Sequence, residues 1–219
     1  MSWLFACNTG FACALLLGHD WRMTDDTGLA GHLLIAMPGM PDPRFAHSVV
    51  FLCAHSAEGA MGLIVNKPLP DLNFGMLLQT LDIPLQGQNS GLGDAPAQAD
   101  DAVYFGGPVE TSRGFVLHTP DVMAADASLS VTEFAALSTS LDILAQIARG
   151  QGPTEVRLAL GYAGWGPDQL DAELRAGGWL TCAADAGLLY GTAPGELWSA
   201  TLDRIGVDPR LLSSTSGRA

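Results

Sequence analysis

Between Leu33 and Pro68, short apolar runs alternate with turns fixed by Pro and Gly, and this pattern limits most what the chain can fold into. Leu33–Met37 and Ser48–Ala54 are rich in Leu, Ile, Val and Phe and bounded by turn residues, so they read as buried strands. Met61–Asn66 reads as a third, stopped by Pro68 and Pro70. With 26 Gly and 13 Pro in 219 residues, the rest of the chain also favours a turn-rich sheet over a helical bundle.

The pattern continues. Asp71 is placed to cap a short helix over Leu72–Leu81, with Phe74, Leu77, Leu78 and Leu81 on one face. The polar stretch Gln86–Asp101 reads as a surface loop. Val103–Phe105 and Phe115–His118 read as strands flanking a hairpin-like connection, GGPVETSRG. Ser128–Val131 and Phe134–Thr139 suit a second hairpin. Ser140 caps a helix over Leu141–Arg149, stopped by Gly150. Glu155–Gly161 follows as a strand, then a glycine-rich loop with Tyr162 and Trp165. A helix starting near Pro167 ends at Gly177–Gly178, and a last one spans Glu196–Ile205. Strands without regular βαβ alternation predict a single α+β domain.

The charge limits function. Ten Lys plus Arg stand against 23 Asp plus Glu, a formal charge of −13. Such a surface lacks the basic footprint by which proteins displace counterions from nucleic acid. No apolar run reaches the roughly 20 residues needed to span a bilayer. The four cysteines, Cys7, Cys13, Cys53 and Cys182, match no zinc spacing, so reduced thiols in a cytoplasmic protein are expected, with no metal and no cofactor. Residues 1–22 carry an apolar run, Phe11–Leu17, without the basic start or cleavage site of a secretory signal. They read as a non-native or disordered extension ahead of Met23, with the domain over residues 23–219.

Two places could carry chemistry. Cys53 and His55 are two apart in an extended run, so their side chains are expected on one sheet face. That juxtaposition suits a thiolate–imidazole nucleophile or two metal ligands. A lone Cys in an apolar strand is more often a small buried hydrophobe, so both remain candidates and no catalytic residue is assigned. Asn66-Lys67 stands at a strand end, where binding groups are often presented, and Lys67 is the only lysine in the chain. Either Arg113 or His118 could join Lys67 and His55 in an anion pocket, though no spacing requires it. Gly106-Gly107-Pro108 lacks the spacing of a phosphate loop and reads as close backbone packing.

Taken in order, IAMPGMPDPRFAHSVVFLCAH, GAMGLIVNKPL, YFGGPV, RGFVLHT, LALGYAGWGPDQLDAEL and GGWL resemble the AlgH/YqgE family of bacterial proteins, from roughly Leu29 to the C-terminus. The resemblance implies a single α+β domain with a complex, mixed, partly barrel-like sheet flanked by helices. It also implies a cytosolic bacterial protein of unestablished activity, of which some members are described as transcriptional regulators of alginate synthesis. Its motifs fall here on Pro38, Asp42, Pro43, Asn66, Lys67, Pro68, Gly106, Gly107, Pro108, Arg113, Gly114, His118, Gly161, Tyr162 and Trp165. Leu141 stands where an Arg is usual, and Asp168 where a Gly is usual. The reading adopted is a non-catalytic module binding an unknown small molecule or protein, with Asn66, Lys67, Arg113, His118, Tyr162 and Trp165 as binding candidates. The alternatives are a Cys/His-dependent hydrolase or transferase, and a transcriptional regulator.

Overall fold

A computed structural model describes residues 28–84, 101–123 and 127–212. The expected extension over residues 1–22 and the polar stretch 86–100 lie outside them. Among the described residues, ten strands form one curled, mostly antiparallel half-barrel sheet with helices against it. The strands are β1 (His32–Ala36), β2 (Val49–Ser56), β3 (Gly59–Ile64), β4 (Pro68–Asn73), β5 (Ala102–Phe105), β6 (Val109–His118), β7 (Ser128–Ser130), β8 (Ala136–Ser138), β9 (Val156–Trp165) and β10 (Trp179–Ala183). The helices are α1 (Phe74–Thr80), α2 (Leu141–Ala148), α3 (Gln169–Arg175) and α4 (Pro194–Arg204). The α+β single-domain reading therefore holds.

The main path through the sheet runs β10-β1-β2-β3-β9-β6-β8-β7. The long strand β9 is its spine: β6 pairs along one edge, while β5 and then β3 share the other. Both faces of β1 and β2 are covered, which is why their sequences are unbroken apolar runs. Leu33, Ile35, Phe51 and Cys53 pack with Leu197 and Leu202 of α4 on one side. Leu34, Val50 and Leu52 pack with Leu170 of α3, Trp165 and Trp179 on the other. A third cluster joins Phe74 and Leu78 of α1 to Ile143, Leu144 and Ile147 of α2 over β5, β6 and β9.

Several expectations about the elements require correction: Ser140 holds the N-cap position of α2 but makes no side-chain cap bond. The helix expected from Leu72 begins at Phe74, and Asn73, not Asp71, caps it by accepting from the Met76 amide at 2.9 Å. Pro68 to Asn73 instead runs extended beside β5, as an outer strand that tolerates prolines. The GGPVETSRG segment does not turn a hairpin, because β5 and β6 lie on opposite edges of β9. Lastly, the expected loop through Tyr162 and Trp165 is the second half of β9. Gly161 serves close backbone approach: a Cβ on it, at φ +72°, would meet the Gly107 carbonyl, and Gly107 itself, at φ +154°, lies against Tyr162.

Candidate functional site

Cys53 and His55 do not share a sheet face. The β2–β3 register shifts between Leu52 and Ala54, so the alternation slips by one residue there. Cys53 stays in the α4-side cluster with Phe51 and Met61. His55, opposite Ala60, turns to the α3 side, where its Nδ1 accepts from the Leu29 amide at 3.1 Å and its Nε2 lies 3.7 Å from Asp171. Burial pushes the Cys53 thiol up to about 12, against the low value a nucleophile needs.

Asn66 and Lys67 come together, with the loop that precedes β2. Asn66 Oδ1 accepts from the Val49 amide at 2.8 Å, and its Nδ2 donates to the His47 carbonyl at 2.9 Å. Lys67 Nζ donates to the Arg44 carbonyl at 2.7 Å. Desolvation lowers the Lys67 pKa, with Asp42 opposing it. Asp42 and Arg44 close a two-pronged pair of their own across the Pro43 turn. These groups tie the loop to the end of β3.

Arg113 and His118 lie elsewhere. Arg113 pairs with Glu110 at 3.1 Å and sits over the Phe115 ring. His118 is fully buried, its Nδ1 bonded to the Thr119 carbonyl at 2.8 Å and its Nε2 to Ser138 Oγ at 2.7 Å. A carbonyl only accepts, so Nδ1 carries the proton and Nε2 accepts from the hydroxyl. Tyr162 and Trp165 are both buried, in opposite-face clusters. The six binding candidates therefore do not converge on one cleft.

Arg157 stands outside the candidates that sequence motifs mark. It is the only charged residue in the ten-residue strand β9, VRLALGYAGW, and that isolation within an apolar run was the available signal. The register places it opposite Leu117, so its side chain points with the α4-side core. Only 7% of it is exposed. Its Nε donates to the Leu189 carbonyl at 2.6 Å, its Nη1 to the Val65 carbonyl at 3.1 Å and to Tyr104 Oη at 2.7 Å, and its Nη2 to the Thr192 carbonyl at 3.2 Å. The guanidinium also lies 5.1 Å from the centre of the Tyr104 ring. All these partners are neutral.

Arg157 lines a cleft of about 580 Å³ with Asp101, Tyr104, Glu155, Tyr190 and Thr192. The outer wall is the connection from β10 to α4, which includes a π-helical turn, Gly187–Gly191, a geometry frequent at functional sites. The Tyr190 hydroxyl is buried without a hydrogen-bond partner among the described residues, and burial raises its pKa well above the phenolic range. Among the described residues, no three His, Cys, Asp or Glu side chains are grouped to hold a metal. No helix among them is long and apolar enough to cross a membrane.

An AlgH-like family model matches residues 33–210. A UPF0301 protein of Cereibacter sphaeroides is 48% identical over 191 residues, covering 87% of this chain and 99% of the relative. One from Ruegeria pomeroyi is 50% identical over the same shares. The solution structure of the AlgH protein of Pseudomonas aeruginosa superposes with a TM-score of 0.68 at 43% identity, covering 90% of this chain and all of that one. A Corynebacterium diphtheriae protein at 20% identity, TM-score 0.61, shares the fold.

Proposed function

The chain belongs to the AlgH-like family, and we propose that it works as a non-catalytic ligand-binding module whose site is the cleft beside Arg157. One observation carries this: Cys53, Asn66, Lys67, His118, Tyr162 and Trp165 are buried in or bonded to the framework, while a cleft of ligand size opens between β9 and the β10–α4 connection. Its volume, about 580 Å³, falls within the range that holds a small molecule.

A Cys53-dependent enzyme is disfavoured by the buried thiol and by the bulge that turns His55 to the other face. A DNA-bound regulator is disfavoured by the charge of −13. Cys53 and Cys182 are buried free thiols, which suits the reducing cytoplasm.

The test is a thermal-shift screen of the full chain against small metabolites, with hits mapped by amide chemical shifts. A saturable ligand whose shifts centre on residues 154–157 and 187–193 supports the reading. Hits that map elsewhere, or no saturable ligand, overturn it.

A further inference from the structure

We propose that the cleft recognises a ligand through one compact oxyanion, a carboxylate or phosphate, seated against Arg157 and Tyr190 at the start of α4. This rests on the binding-module reading above and adds the chemistry of the ligand's head.

A guanidinium has five N–H groups, and four are used on Leu189, Val65, Tyr104 and Thr192, leaving one on Nη2. Among the described residues Arg157 makes no ion pair, although buried charges ordinarily carry a counter-charge. Tyr190 adds a second buried donor with no acceptor among them. An oxyanion supplies what both lack, and Arg is the side chain best shaped to hold one.

The helix contributes independently. Helix α4 begins at Pro194, on the cleft wall; Pro194 has no N–H and the Glu196 and Leu197 amides bond the Ala193 carbonyl, so the Gly195 amide is the donor its first turn can offer. The positive end of an eleven-residue helix thus borders the same space. The acidic residues Asp101 and Glu155 also line the cleft. They disfavour a polyanion and suit a ligand whose remaining groups are neutral or cationic. Because the Tyr190 hydroxyl is covered in the free protein, ligand arrival shifts the Gly187–Gly191 turn.

The experiment titrates the full chain with inorganic phosphate, acetate and the neutral isostere acetamide, followed by amide shifts and thermal stability. Saturation by phosphate or acetate, but not acetamide, with shifts at residues 187–193, is expected; the two anions distinguish which head group is preferred. Tyr190→Phe removes only the unpartnered hydroxyl and should weaken binding by about tenfold. Arg157→Gln should abolish it. If that variant does not fold, Tyr190→Phe decides. Glu155→Gln, on the exposed rim, should tighten binding about twofold. Equal effects of acetate and acetamide, or unchanged affinity in Tyr190→Phe, overturn the inference. If only neutral compounds saturate the cleft, the binding-module reading stands and the oxyanion falls. If nothing saturates it, both fall.

Discussion

Trp179 donates its indole N–H to Glu173 Oε2 at 2.8 Å, fastening the first residue of β10 to α3. The same oxygen accepts from Trp165 Nε1 at 3.0 Å, and the two indoles meet edge to face at 5.9 Å between ring centres. Gln169 completes the link, donating to Glu173 Oε1 and accepting from the Gly166 amide, both at 3.0 Å. One carboxylate thereby joins the ends of β9 and β10 to the helix between them.

Glu173→Ala should therefore leave two mostly buried indole N–H groups unpaired and cost about 2–4 kcal/mol. Urea denaturation monitored by tryptophan fluorescence measures this. A loss below about 0.5 kcal/mol, on the order of an ordinary surface change, would show that the indoles find other acceptors.

His118 predicts a pH dependence. Desolvation lowers its pKa below the ordinary 6.5, with the Thr119 carbonyl opposing. The unfolded chain then binds more protons than the fold just below pH 6.5, so stability falls as pH drops from there toward the depressed value. Denaturation midpoints between about pH 5 and 7.5 should slope this way, above the ordinary carboxylate range. His118→Gln should flatten the slope.

Cys53 should be inert in the folded protein. The residue is 3% exposed and its thiol is pushed up to about 12. Iodoacetamide at about pH 8, near the pKa of a free thiol, followed by peptide mapping, should leave Cys53 unmodified in buffer and label it fully in urea. Labelling in buffer would reopen the nucleophile reading.

Gly161 has no tolerated substitute. Its φ of +72° and the Gly107 carbonyl, which a Cβ would strike, both exclude a side chain. Gly161→Ala should cost about 3 kcal/mol or more, read as a fall in melting temperature or loss of folded yield.

Asp168 has a left-handed φ of +57° and makes no side-chain cap bond to α3. Asp168→Gly should raise stability by up to about 1 kcal/mol, and Asp168→Ala should lower it by a similar amount. Calorimetry of the pair checks the sign.

Much of the fold was legible because its signals are local. Apolar runs ended by Pro and Gly marked β1, β2 and β3, and Gly150, Gly177 and Gly206 marked helix ends, each with φ near +70°. Other signals misled for physical reasons. Glycines at 161, 164 and 166 looked like a loop, yet the first lets β9 pass close beneath the Gly107 backbone. Asp71 looked like a cap, but its neighbours Pro68 and Pro70 sit acceptably in an outer strand. Asn66-Lys67 lies between β3 and β4, bonded to the loop before β2 and apart from the cleft. Arg157 was passed over because most of its partners are backbone carbonyls, which carry no sequence signature.

The sequence by itself determined the family, the strand-rich composition and the buried runs, since motif order, apolar periodicity and turn chemistry are written in neighbouring residues. Only the tertiary structure decided which side chains meet. A one-residue bulge parted Cys53 from His55, because a slip of one position reverses every face after it. Pairing of strands far apart in the chain then brought Arg157, Tyr104 and Tyr190 to one cleft, a juxtaposition fixed by register and burial over separations that local pattern does not reach.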